Sequence, residues 1–252
     1  MKRKQHYIAW IIPILFVVCW QLFGSEDTIP TPLQVWESAL RLYQDGSLIA
    51  AIWVSTKRAL LGFIIGGSIG FLFGLFNGLA PVLAKLLDTS IQMIRTIPHL
   101  ALIPLVITWF GVDESGKLFL VALGVAFPIY LNTYHGIINV DKGLIEMGKV
   151  YGLRSWALFT KVLLPGALPS ILVGIRYALG IMWMSLIVAE TIASDSGIGY
   201  MAMSAREFMQ MDIVILSILL YAFLGKFSDV IASMMEKRWL RWHPSFSKNK
   251  DE

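Results

Sequence analysis

The sequence predicts an all-α integral membrane protein that crosses a bilayer about six times. Three observations carry that prediction. Hydrophobic residues make up 56% of the 252 and charged residues only 15%, against about 25% charged in an ordinary soluble domain. Six apolar stretches recur along the chain, each near the length that spans hydrocarbon. Lysine and arginine crowd alternate connections between them. A soluble fold of this size has too little interior to hide so much apolar surface.

A spanning helix needs about 20 apolar residues, at 1.5 Å each across roughly 30 Å. The first stretch, Ile8–Phe23, follows Lys2-Arg3-Lys4. No small-residue cleavage site ends it, so it reads as a retained span. Thr31–Thr56 is more polar and reads as surface helices. The second stretch, Leu60–Leu79, carries Gly62, Gly66, Gly70, Gly74 and Gly78. In lipid such small-xxx-small ladders let backbones approach closely. The ladder reads either as a tightly packed helix or, more sharply, as an interface that moves. The third stretch, Ile97–Val112, is short and ends near Trp109, as the first is flanked by Trp10 and Trp20. Leu118–Ile138, Leu168–Ala189 and Ile213–Met234 complete the set. Pro98, Pro104, Pro128 and Pro169 lie in or at these spans and predict bends.

With the N-terminus inside, the inner side holds fourteen cations: Lys2, Arg3, Lys4, Lys85, Arg95, Lys142, Lys149, Arg154, Lys161, Lys237, Arg238, Arg241, Lys248 and Lys250. The outer side holds five: Arg41, Lys57, Arg58, Lys117 and Arg206. The positive-inside rule therefore places both termini in the cytoplasm. The chain divides into an N-terminal span and outer segment (1–58), a transmembrane core (59–234) with a cytoplasmic loop at 140–165, and a basic tail (235–252).

Enzyme chemistry finds little to stand on. Cys19 is the single cysteine, and His6, His99, His135 and His243 are scattered, so no metal set is expected. Gly111-Val-Asp-Glu-Ser-Gly116-Lys117-Leu118 nearly spells a P-loop, but Leu118 stands where Ser or Thr should hold magnesium. Gly197-Ile-Gly199-Tyr-Met-Ala202 mimics a dinucleotide fingerprint without a βαβ unit and reads as a turn. No cofactor is expected on this chain, and any ATP must be hydrolysed by another protein. Nothing points to nucleic acid.

The loop between the fourth and fifth spans is built differently. Asp141 can cap a helix on which Leu144, Met147 and Tyr151 recur at helical spacing. Gly152 suits a left-handed helix end. Ser155 can cap a second short helix that runs to Leu164, before Pro165. Such an amphipathic pair either docks on a partner or lies in the lipid interface.

Glu146-Met-Gly-Lys-Val-Tyr-Gly152, nine residues, then Val162-Leu163-Leu164-Pro165 resembles the loop motif of ABC importer permeases, Glu-Ala-Ala-x3-Gly-x9-Ile-x-Leu-Pro. Glu146, Gly152, Leu164 and Pro165 match in place. Met147 and Gly148 replace the two alanines, and Val162 replaces the isoleucine. Further stretches, among them Leu87–Arg95, Ile97–Leu105, Trp109–Glu114, Phe127–Asn132, Leu164–Ser170 and Gly197–Phe208, look like the sulfonate, taurine and nitrate permease group, most of all its aliphatic-sulfonate members.

The resemblance implies a type I importer permease fold in a bacterial cell membrane and a role in sulfur assimilation. It implies a homodimer, two copies of a cytoplasmic ABC ATPase that uses ATP and magnesium, and an extracytoplasmic solute-binding protein. In that family the loop is the coupling helix, so Glu146, Met147, Tyr151, Gly152, Leu164 and Pro165 become its ATPase-coupling residues. Taurine, nitrate or a thiamine precursor are alternative cargoes for the same architecture. From another class, an ion-coupled secondary transporter would be expected to show repeated halves and midplane acidic groups.

Charges within spans mark pathways more often than not. Arg176 and Glu190 on the fifth span are the clearest, and fourteen residues, roughly 21 Å of helix, separate them. Arg176 either favours an anion in the pathway or pairs with a carboxylate on another span. Glu190 either meets the binding protein or braces the neighbouring loop. His99 and Trp183 read as packing residues.

Overall fold

The computed structural model describes residues 2–25, 29–192 and 194–242. Among these residues the protein is helical throughout, with one isolated bridge between Ser25 and Ile29 and no strand. In chain order the helices are α1 (Lys2–Phe23), α2 (Pro32–Gln44), α3 (Ser47–Leu79), α4 (Pro81–Thr96), a 3-10 turn (His99–Leu102), α5 (Ile103–Phe110) and α6 (Glu114–Ile138). There follow α7 (Lys142–Val150), α8 (Ser155–Leu158), a π turn (Phe159–Leu163), α9 (Leu164–Ile192), α10 (Ile198–Glu207) and α11 (Met211–Trp239).

Four helical stretches are long and apolar enough to cross a membrane: Ser47–Leu79, Glu114–Ile138, Ser155–Ile192 and Met211–Trp239. A fifth candidate is bent by 76° between Thr89–Thr96 and His99–Phe110, and Ile11–Phe23 is a shorter apolar helix. Five of the six apolar stretches therefore lie within single helices.

The exception is Ile97–Val112, which is not one straight span. Pro98 has no N–H to continue α4, and the residue before a proline is pushed out of the helical region. Ile97 obeys, at φ −72° and ψ 120°. A second correction concerns Thr31–Thr56. Only α2 forms a separate helix there, opened by Thr31 and Gln34 in a capping box with Pro32 in the first turn. From Ser47 onward the chain is already in the second span. Ser55 in that segment and Arg58 just beyond it are both buried. The end of the basic tail, residues 243–252, lies outside the described residues.

The chain forms two compact units, Met1–Thr56 with Glu190–Ala222, and Lys57–Ala189 with Phe223–Glu252. In the first, Arg41 and Ser38 on α2 both reach Asp212 of α11, Arg41 at 3.1 Å. The core of the second is the pairing of α3 with α6. A Cβ built on Gly66 would lie 2.6 Å from the Ala122 Cα, and one on Gly70 would lie 3.0 Å from the Ala126 Cα. A Cβ on Gly74 would meet the Tyr130 carbonyl oxygen at 2.6 Å, and one on Gly62 or Gly78 would meet the Cβ of Val121 or Ile137 at under 3 Å. The glycine ladder is thus a surface of close backbone approach, the tight-packing reading. Ile103, Val106, Leu120 and Ala189 form one buried cluster of this unit. Ile137, Val140, Ala167 and Ile171 form another, beneath the loop.

Candidate functional site

The loop after α6 is built as two ends of different stiffness. At its start the Asp141 carboxylate accepts a hydrogen bond from the Gly143 N–H at 2.7 Å and caps α7. At the far end of α7 the Leu153 N–H donates to the Gly148 carbonyl at 3.0 Å, and the Gly152 N–H to the Lys149 carbonyl at 2.9 Å. This crossed pair is a Schellman end, which requires one residue in the left-handed region. Gly152 supplies it at φ +78°. Gly148 is buried, and a Cβ there would sit 2.8 Å from Leu158 Cδ1. Helix α7 therefore rests on α8 through bare backbone.

The second half of the loop departs from expectation. Ser155 is the first residue of α8 rather than its cap, which is Arg154 without a side-chain bond. Nor does the short helix stop before Pro165. It passes through the π turn Phe159–Leu163 straight into α9. A proline ring presses on the carbonyl four residues back, here Lys161, and it offers no N–H. A wider π turn at that place absorbs both demands, so Leu164 and Pro165 lie in the opening turn of the fifth span.

The loop presents an apolar surface. Val150 is 85% exposed, Tyr151 80% and Trp156 75%, with Leu144 and Met147 about half exposed beside them. Lys142, Lys149 and Arg154 rim the patch. Glu146 stands exposed among these residues and forms no hydrogen bond or ion pair with any described residue. Contiguous apolar surface with a charged rim marks an interaction site.

The two pathway candidates have different surroundings. In the second unit Arg176 donates through Nε to Asp229 of α11 at 2.7 Å, and its other nitrogen lies 3.6 Å from Glu236. Lys226 also reaches Asp229, at 3.0 Å. Of the two readings of Arg176, the structure shows the pairing with carboxylates of another span. His99 bonds Ser185 at 2.8 Å, and the buried Trp183 donates to Ser228 at 2.9 Å, as packing residues would.

In the first unit Glu190 is fully buried. Its carboxylate accepts from the Ser55 hydroxyl at 2.7 and 2.9 Å, the Tyr221 hydroxyl at 2.9 Å and the Gly199 N–H at 3.0 Å. Ser55 in turn accepts from the Ile198 N–H at 2.8 Å. Glu190 thus ties the start of α10 to α3 and α11 within this unit. The segment read as a turn at Gly197–Ala202 is instead the first part of α10. Gly197 precedes it at φ +104°, and a Cβ there would lie 2.6 Å from the Glu190 Cδ. The amides a dinucleotide fingerprint would turn to phosphate are turned here to the protein's own carboxylate and hydroxyl. The P-loop lookalike is likewise a helix start. Glu114 takes Arg58, with 2.8 Å from its Nε, and Lys117 at 3.3 Å. Ser55, Tyr221, Asp229 and Glu236 were not singled out by sequence; a polar side chain within an apolar run is the signal that points to Tyr221 and Asp229, and no such signal marks Ser55 or Glu236.

The family model described as "Binding-protein-dependent transport system inner membrane component" matches residues 62–241, which include the loop, Arg176 and Glu190. The chain is 55% identical over 242 residues to the putative aliphatic sulfonates transport permease protein SsuC of Escherichia coli (strain K12), covering 94% of this chain and 92% of that protein. It is 41% identical over 250 residues to the protein of that name from Bacillus subtilis (strain 168), with 97% and 91% covered. Among solved structures the fold is similar to a chain of an amino acid ABC transporter with histidines. There the TM-score is 0.64 at 20% identity, with 79% of this chain and 97% of that chain covered.

Proposed function

The chain belongs to the family of binding-protein-dependent transport system inner membrane components, and from that premise we propose that it carries aliphatic sulfonates into the cell. It is a multi-pass inner-membrane permease subunit of an ABC importer, and such subunits are not themselves enzymes. The observation that carries the cargo is the 55% identity to the E. coli sulfonate permease along almost the whole chain. An ABC ATPase and a solute-binding protein are the partners that this family works with.

The finer arrangement is part of the proposal. Two copies of the chain form the translocator, with both termini in the cytoplasm, and each docks one ATPase subunit through the patch around Tyr151 and Trp156. Glu146, Met147, Gly152, Leu164 and Pro165 belong to that coupling. ATP and magnesium bind on the ATPase. Nucleotide draws the two ATPase subunits together, and the loop passes that motion to the spans. The permease then switches between two states, biased by a ligand whose contacts differ between them.

The test is uptake of labelled alkanesulfonate, taurine and nitrate by cells with and without the gene. Loss of alkanesulfonate uptake alone supports the proposal. If taurine or nitrate uptake falls instead, the permease keeps its family and the sulfonate reading is wrong.

A further inference from the structure

We propose that the second unit holds a solute site of its own, a cavity that takes a sulfonate group on Arg95 and the alkyl chain on an apolar wall. The inference rests on the sulfonate reading above. The cavity measures about 450 Å³, within the range of roughly 300–1,000 Å³ typical of small-molecule sites. It lies at the break between α4 and the turn His99–Leu102. Irregular backbone at membrane depth is tolerated where it is buried in protein or lines a wet cavity. Arg95, Asn132 and Tyr177 contribute polar groups to its lining, and Phe127, Leu131 and Ile181 contribute the apolar wall.

Arg95 carries the inference. It makes no hydrogen bond or ion pair with any described residue. The carbonyls at the C-terminal turn of α4 favour a cation there but bring no full counter-charge. No carboxylate lines the cavity among the described residues. Arg176, by contrast, already has Asp229 and Glu236. Arg95 is exposed at the C-terminal end of α4 and is the one charged side chain that lines the cavity among the described residues, so the cavity favours an anion. A sulfonate spreads one negative charge over three acceptor oxygens, and the planar guanidinium fork meets two of them with parallel N–H groups. The Tyr177 hydroxyl, which is exposed and bonded to no described residue, adds a donor. The alkyl chain then lies against Phe127, Leu131 and Ile181. On the other side, Gly124 leaves room for the His99–Ser185 bond that stiffens the wall.

The test is equilibrium binding of labelled butanesulfonate to the purified permease–ATPase complex in nanodiscs, without the binding protein. Saturable binding is expected in the wild type. Arg95→Gln should weaken it by at least about tenfold, the worth of one charge-assisted pair. Arg176→Gln, which removes no group from the lining and whose guanidinium already has Asp229 and Glu236, should weaken it less than Arg95→Gln does. Ile181→Trp should spare methanesulfonate and weaken octanesulfonate, a selectivity change that a general folding defect does not produce. Unchanged affinity in Arg95→Gln overturns the proposal. So does absence of binding in a wild-type complex that still imports alkanesulfonate once its binding protein is added. If that complete complex imports no alkanesulfonate, the sulfonate reading itself falls and the site with it.

Discussion

Replacing Gly152 with valine is expected to release the ATPase from the permease while leaving the spans intact. An L side chain held in the left-handed region costs about 1–2 kcal/mol, and a β-branched one more. No atom lies within 4 Å of a Cβ built at Gly152, so the cost is entirely in the backbone and no neighbour can relieve it. The alternative is for the turn to open. That forfeits the Leu153–Gly148 and Gly152–Lys149 bonds, each worth about 0.5–1.5 kcal/mol. Either route removes about 2 kcal/mol from the closed loop, a factor of roughly 30 in its population. A partner that recognises only the closed loop then binds with an apparent affinity lower by up to that factor. The assay is titration of the purified ATPase onto the permease in nanodiscs, with sulfonate uptake alongside. Gly152→Asn is the control, because asparagine tolerates the left-handed region. Wild-type ATPase affinity and uptake in Gly152→Val would mean that the loop docks in some other shape.

Glu146→Lys should also uncouple transport, since it reverses the one acidic group on the exposed face of α7. Normal uptake with a normally assembled complex would remove Glu146 from the coupling surface. Glu190→Gln should destabilise the protein by about 1–3 kcal/mol, because an amide nitrogen then faces the donors of Ser55, Gly199 and Tyr221. Tyr221→Phe removes one donor and should cost less, and thermal unfolding of the two variants in detergent gives the order. Gly66→Ala should destabilise by about 1–3 kcal/mol, as overpacking does, because the added carbon meets Ala122 backbone. Gly67→Ala, one residue on, meets side-chain ends alone, Ile129 Cδ1 at 3.2 Å and Val125 Cγ1 at 4.0 Å, so equal melting temperatures for the two would contradict the packing of α3 on α6.

The apolar runs were legible because a bilayer imposes one length and one composition on any helix that crosses it. The α7 cap and its left-handed end were legible because Asp141 and Gly152 act within a few residues of themselves. What escaped were consequences of distant partners. Ser55 and Arg58 look like loop residues until Glu190 and Glu114 are found to hold them. Arg176 has two readings until Asp229, fifty-three residues on, comes to lie beside it. Ser155 and Pro165 misled for a local reason. Each is a common helix boundary residue, and here a π turn lets the helix run between them.

That uninterrupted helix bears on how the loop works. From Ser155 to Ile192 the chain is helical for 38 residues, roughly 57 Å at 1.5 Å per residue. Trp156, in its first turn and 75% exposed, is therefore fixed to the fifth span by a continuous hydrogen-bonded backbone. Helix α7 has no such attachment. It joins α6 through the turn at Asn139–Asp141 and α8 through the Schellman end at Gly152. A force applied to the patch thus meets a stiff lever on the Trp156 side and a hinged plate on the Glu146 side. The plate holds its angle to the lever by the Gly148 contact with Leu158 and Val162. Damage to α7 should weaken the grip of the ATPase, whereas damage to the π turn should leave the grip and spoil the transmission. The two defects separate in one preparation, as lost ATPase binding in the first case and nucleotide hydrolysis without uptake in the second.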